Sequence, residues 1–138
     1  YSSIDKVKDI AKLCGWDGGK TEKDRKFLSD LKLLTTEYSN MAFEAIKSKV
    51  NEFLEDSQHV IMLIDIREPD EIEKAKMAFG AKTILIENKN VKTISSNMAD
   101  ANVFNYTYDY TVKNNGTLDD FRENVEEFVS TVIQNGKE

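Results

Sequence analysis

Val60-Ile61-Met62-Leu63-Ile64-Asp65-Ile66-Arg67-Glu68-Pro69 is the stretch on which the fold turns. The near-continuous apolar run Val60–Ile66 is the pattern of a strand buried on both faces, and parallel sheets make such strands. Pro69 at a first helical turn, with Asp70 and Glu71 behind it, opens a helix that Gly80 stops. Thr83-Ile84-Leu85-Ile86 is the next strand. Strand, helix, strand in this order is a βαβ unit, whose crossover is right-handed.

Outward from this unit the pattern stays regular. Ile4, Val7, Ile10, Ala11 and Leu13/Cys14 recur at helical spacing, and Gly15 ends that helix. Thr21 and Asp24 form a capping box with Asp in place of Glu. They open a helix over 22–36 marked by Phe27, Leu28, Leu31 and Leu34. Met41, Ala45, Ile46, Val50, Phe53 and Leu54 mark another over 41–56. Residues 88–100 lack a period and read as a polar loop, followed by a short helix near 98–105. Tyr108-Asp109-Tyr110-Thr111-Val112 alternates as a strand does, and Asn114-Asn115-Gly116 is a tight turn. Thr117 and Asp120 cap a last helix, whose buried stripe is Leu118, Phe121, Val125, Phe128, Val129 and Val132. Alternating elements predict an α/β fold with helices over a mostly parallel sheet. Three visible strands make that sheet thin.

The chain is 138 residues long, the size of one domain. Its 25 acidic against 19 basic residues give a net charge of −6. That balance offers no clustered positive surface for nucleic acid. The longest apolar run falls far short of the roughly 20 residues that span a bilayer. The first residues lack the basic start and apolar stretch of a signal peptide. The single Cys14 forms no internal disulfide, so a reducing cytoplasm is the default compartment. On its apolar helical face it reads as a small buried hydrophobe. Composition leaves the oligomeric state open.

In open α/β sheets ligands bind beyond the carboxyl ends of strands. That rule points to Asp65-Ile66-Arg67-Glu68, to the loop after Glu87, and to Lys113-Asn114-Asn115-Gly116-Thr117. A carboxylate at the exit of an apolar strand is costly unless hydrated, paired or metal-bound. Asp65 therefore reads either as a Mg²⁺-water ligand or as a partner of Arg67 or cap of the next helix. Arg67 presents a planar fork for phosphate or carboxylate, with a surface ion pair to Asp70 or Glu71 as the plainer role. Arg25, near a helix start, stands where an anion would also meet the helix dipole. A solvated face shared with Lys23 and Lys26 is its ordinary alternative. Lys89 and Lys92 lie in the polar loop, either solvated or able to close over phosphates. Gly18-Gly19-Lys20-Thr21 imitates a phosphate loop but fails on spacing, because Cys14 stands where the first Gly belongs.

Taken in order, Ile10–Gly18, Lys23–Leu28, Asp65–Glu71 and Tyr108–Leu118 resemble P-loop nucleoside- and nucleotide-kinase-like proteins. The resemblance is especially to deoxynucleoside monophosphate kinase-like members, and phosphomevalonate kinases share much of the skeleton. The resemblance runs from about Ser3 to Val129. It implies a three-layer α/β/α P-loop fold and ATP-dependent phosphoryl transfer to a nucleoside monophosphate or similar phosphorylated acceptor. It implies that Asp65 helps place Mg²⁺ and that Arg67 and Arg25 hold the acceptor's phosphate. By the same resemblance Lys89 and Lys92 belong to a lid at 88–100, and Asn115, Gly116 and Thr117 border the nucleotide. Such kinases begin with a strand, a P-loop and a helix, none of which precedes Tyr1. The expectation is therefore either a longer native protein or a non-catalytic module that binds nucleotide or protein through a degenerate kinase fold.

Overall fold

The computed structural model describes residues 1–90 and 102–135, with side chains up to 132. The chain forms α1 (Asp5–Leu13), α2 (Glu22–Ser39), α3 (Met41–Glu55), α4 (Pro69–Phe79), β1 (Ile84–Glu87), a 3₁₀ turn (Val103–Asn105), β2 (Tyr110–Lys113) and α5 (Leu118–Asn135). The helices begin and end where local chemistry directs. The Thr21 side chain accepts from the Asp24 backbone N–H while Asp24 accepts from that of Thr21, closing the capping box of α2. Pro69 opens α4 and Gly80, at φ +64°, closes it in the left-handed conformation that glycine adopts without strain. Thr117 caps α5: its hydroxyl accepts from the Asp120 N–H, and its own N–H donates to the Asp120 carboxylate at 2.7 Å.

β1 and β2 pair in parallel, Ile84 opposite Tyr110 and Glu87 opposite Lys113. α5 packs on β2, with Phe128 edge-on to Tyr110 at 5.4 Å between ring centres. α1, α2 and α3 pack on one another, and α3 meets α4. Phe43 of α3 stacks on Phe79 of α4 at 5.6 Å, with the Lys74 ammonium 4.3 Å above the Phe43 ring. The buried apolar core is small: Val7, Ala11, Ala42, Ile46, Val50, Ile72, Ala75 and Val112.

The expected three-layer α/β/α sheet is not formed. The described residues are 60% helical, in five α-helices and the 3₁₀ turn, and their sheet has two parallel strands. The reason lies at Val60–Ile66. Among the described residues this segment joins no sheet; its backbone meets the N-terminal residues through the isolated parallel bridge Ser2–Asp65. The Ser3 N–H donates to Asp65 O at 3.0 Å, the Asp65 N–H to Tyr1 O at 2.9 Å, and the N-terminal amine to Leu63 O at 3.0 Å. Burial on both faces needs neighbours along both edges. Here exposure alternates: Ile61, Leu63, Asp65 and Arg67 are exposed, while Met62, Ile64 and Ile66 are half-buried. That period of two is the mark of extended chain covered on one side only. Cys14 is also exposed rather than buried, because it falls at the end of α1, past the last turn that packs.

Candidate functional site

Asp65 and Arg67 both face one cleft. It encloses about 730 Å³ between the 64–67 segment, the start of α1 and β1, and its lining includes Asp5, Lys8, Asp65, Arg67 and the apolar Ile64, Ile66, Ile84 and Leu85. Two residues apart on an extended backbone, Asp65 and Arg67 project to the same side. Arg67 already has an interaction partner of its own, so an incoming anion must share or displace it. The Asp5 carboxylate is occupied, accepting from the Ser2 N–H at 2.8 Å and lying 3.7 Å from Lys8. Among the described residues no group of three or more His, Cys, Asp or Glu side chains can hold a metal ion. Asp65 suits only a largely hydrated Mg²⁺ that arrives with bound phosphates, since that ion takes one or two carboxylates and keeps several waters.

The backbone that carries Asp65 and Arg67 is held from beneath by Lys32. Its ammonium lies 2.6 Å from Glu68 and 2.8 Å from Glu71, and 3.4 Å from the Ser3 hydroxyl. Only 10% of the Lys32 side chain is exposed. One cation thus serves two carboxylates. Burial opposes ionisation of Glu68, but the Lys32 contact outweighs it and holds that carboxyl below its ordinary range. At Glu71 burial prevails, reinforced by the neighbouring Glu68, and its carboxyl stays above the ordinary range. The second Glu68 oxygen is buried and accepts no hydrogen bond among the described residues. Lys32 is the residue that sequence reasoning passes over, because lysines in a helix usually mark its wet face. The available signal was its place in the stripe: Lys32 stands four residues after Leu28, on the face that packs.

The remaining expected residues fall elsewhere. Arg25 is not in the cleft; its Nε donates to Lys20 O at 3.2 Å. It sits seven residues before Lys32 on the same face of α2, about 10 Å along the axis. Gly18-Gly19-Lys20-Thr21 is a helix-capping loop: the Trp16 indole donates to Gly19 O at 3.1 Å and the Gly19 N–H donates to Asp17 at 2.9 Å. Lys89 and Asn115 come together because parallel pairing of β1 and β2 brings both strand exits to one edge. The Lys89 N–H donates to the Asn115 side-chain oxygen at 2.7 Å, and the Asn90 amide donates to Asn115 O at 2.6 Å. Gly116 packs against the Asp120 cap, and Thr117 makes that cap. These three residues therefore already serve as a latch between the strand exits and the cap of α5. Lys92, and positions 91–100 of the expected lid, lie outside the described residues.

A second polar knot ties the other end of the strands. Asp109 accepts from Lys76 at 2.8 Å, from the Thr83 N–H at 2.8 Å and from the Thr83 hydroxyl at 2.9 Å. The Lys76 and Thr83 bonds hold its carboxyl well below the usual range. Nearby, the Glu73 carboxylate accepts from the Tyr106 hydroxyl at 2.6 Å and pushes that phenol up to about 12.

No family model matches the chain, no curated protein is significantly similar to it, and no solved structure matches it. No described helix is long and apolar enough to cross a membrane.

Proposed function

We propose that the polar mouth of this cleft binds a small phosphorylated molecule of the nucleoside monophosphate class, and that the chain supplies the acceptor side of ATP-dependent phosphoryl transfer. The carrying observation is that Asp65 and Arg67 line one cleft from a single extended segment. The Arg67 fork would take two phosphate oxygens, as guanidinium groups do in bidentate recognition. Asp65 would orient water on an ion carried by the phosphates, whose chemistry is neutralisation of negative charge. Lys32, through Glu68 and Glu71, would keep this backbone in place before ligand arrives. Preorganisation of this kind is the main protein contribution to phosphoryl transfer, where there is little covalent work to do. Lys89, at the strand exits, would close over the phosphates as a lid residue. A cytoplasmic setting agrees with the exposed Cys14 and with the nucleotide chemistry.

The test is calorimetric titration of a nucleoside monophosphate panel, followed by ATP-dependent phosphorylation of the same panel. Binding should weaken at least tenfold in Arg67→Ala, and phosphoryl transfer should fall in Asp65→Asn with binding largely kept. Unchanged affinity in Arg67→Ala refutes the assignment. The second reading, a non-catalytic interaction module, draws on the exposed apolar row Val60, Ile61 and Leu63, which are 88%, 63% and 68% exposed. Rows of that kind mark contact surfaces. Absence of any heat with ATP or the monophosphates would favour it.

A further inference from the structure

Glu68 stands at the joint between the cleft-bearing segment and α4. Its backbone is extended, at φ −78° and ψ 124°, and Pro69 holds it so, because the residue before a proline is disfavoured in the helical region. Its carbonyl accepts from the Ile72 N–H at 2.9 Å and so starts the helix. Arg67 is the residue immediately before it. Glu71 lies three positions on, in the first turn of α4. The two carboxyls make side-chain hydrogen bonds to each other as well as to Lys32. Two ionised carboxylates have no hydrogen to place between them, so that contact calls for a proton. The charge count asks for one too, since a single ammonium, 2.6 Å and 2.8 Å from the two groups, balances only one of them. Of the charges on the surrounding elements, Lys8 and Lys12 of α1 and Lys47 and Lys49 of α3 pair with acids of their own helices, and Lys74 of α4 lies over Phe43. Arg67 and Asp70 flank the pair in sequence.

We propose that Glu68 and Glu71 share one proton, carried by Glu71 and donated to Glu68, and that with Lys32 they form a proton-gated clamp on the Arg67–Glu68–Pro69 joint. With the proton in place the three groups are an ammonium, a carboxylate and a carboxylic acid, which together carry no net charge. Burial favours that neutral state. Without the proton a second negative charge stands half-buried beside the first, and repulsion acts across the joint. The N-terminus of α4 favours an anion in its first turn, which keeps the proton removable. Burial, reinforced by Glu68 and opposed by Lys32, holds the Glu71 carboxyl above its ordinary range. A folded value raised in this way means that the clamp's contribution is fully present below the unfolded value and is lost as pH rises through the folded one. The clamp therefore grips on the acidic side of its titration and loosens on the alkaline side. The two carboxyls titrate as a pair, so the upper step belongs to the cluster. Arg67 adjoins the joint on the backbone, and its position in the cleft is tied to the same proton. That regulation of the cleft rests on the phosphate reading; the shared proton does not.

The experiment follows the side-chain carboxyl carbons of the full chain by NMR from about pH 4 to about pH 9, with amide hydrogen exchange at the same points. Glu71 should titrate above the ordinary glutamate range and Glu68 below it, with the Glu68 carbon also registering the Glu71 step. Glu68→Gln supplies a donor amide and removes the like charge, so the Glu71 midpoint should fall by at least about one pH unit. Glu71→Gln keeps a donor at the same place without a removable proton. At equal pH, which cancels the intrinsic rise of exchange with pH, the Ile72 amide should exchange at least fivefold faster in the parent than in Glu71→Gln above the upper step, and equally below it. The proposal is overturned if Glu71 titrates within or below the ordinary range, if Glu68→Gln leaves its midpoint in place, or if the Ile72 ratio stays flat across the step. Nucleoside monophosphate titrations on both sides of the step separate the two readings. Binding that is weaker in the parent than in Glu71→Gln only above the step supports control of the cleft, and equal ratios on both sides overturn it. Absence of binding to either chain overturns the phosphate reading and the control of the cleft with it, while the carboxyl titration alone decides the shared proton.

Discussion

Replacing Lys32 by Met removes the one cation that two half-buried carboxylates share. The side chains are similar in length, so packing changes little and electrostatics dominates. Breaking a buried ion pair from one side costs about 3–5 kcal/mol. Glu68 and Glu71 retain 33% and 20% side-chain exposure, so water recovers part of the loss and the lower figure applies. We expect a destabilisation of about 3 kcal/mol at pH 7, or a fall of about 10 °C in melting temperature for a domain of this size. The pH dependence separates this from simple misfit. In the parent, Glu68 is held below its unfolded value, so its contribution is present above that value and lost as pH falls through the folded one. Glu71 is raised, so its stability contribution has the opposite slope, improving as pH falls through its folded value. Without Lys32 both carboxyls gain from protonation. The deficit should therefore shrink to less than half by about pH 4.5, because protonation removes the uncompensated charge. Lys32→Met combined with Glu71→Gln should recover much of the loss at pH 7. Urea denaturation followed by circular dichroism at both pH values measures each quantity. A deficit under about 0.5 kcal/mol at pH 7, or one equal at both pH values, would refute the shared-cation argument.

Asp109→Asn should lower the urea midpoint at pH 7 by weakening the Lys76 and Thr83 contacts. Because the folded carboxyl is depressed, the difference from the parent should persist above the ordinary carboxylate range and close as pH falls below it. Gly116→Ala places a methyl carbon against Asp120 Oδ2, too close to keep the cap of α5. Loss of an N-cap costs about 1 kcal/mol, and amide exchange in the first turn of α5 should accelerate. In an NMR titration the Tyr106 ring should report a phenol near 12, and Glu73→Gln should return it toward the ordinary value of 10.0. An unshifted Tyr106 in the parent would remove the Glu73 contact from the fold.

Most of the secondary structure was legible because its signals are local. The capping boxes at Thr21 and Thr117, Pro69 at a helix start and Gly80 at a helix end act within one turn. The observed helices fall within a few residues of the expected spans. A parallel sheet was expected, but the strand–helix–strand unit read from the sequence paired Thr83–Ile86 with Val60–Ile66, whereas β1 pairs with Tyr110–Lys113. The candidate site was legible in one respect, that Asp65 and Arg67 line a common cleft. Arg25 was not brought there, since its guanidinium turns to the capping loop of its own helix. Lys32 was missed because its burial depends on Glu68 and Glu71, 36 and 39 residues away in sequence.

Residue order alone determined where helices begin, which short runs are extended, and that acid and base alternate at the exit of the apolar segment. These are matters of backbone preference and side-chain period, decided within a few residues. Whether Val60–Ile66 becomes a strand was left to tertiary structure, because an apolar run specifies only that it should be covered and not what covers it. In this chain Tyr1–Ser3 line one edge and one face is half-buried. Asp65 and Arg67, two residues apart on that segment, line one cleft because the fold brings the start of α1 and β1 opposite them.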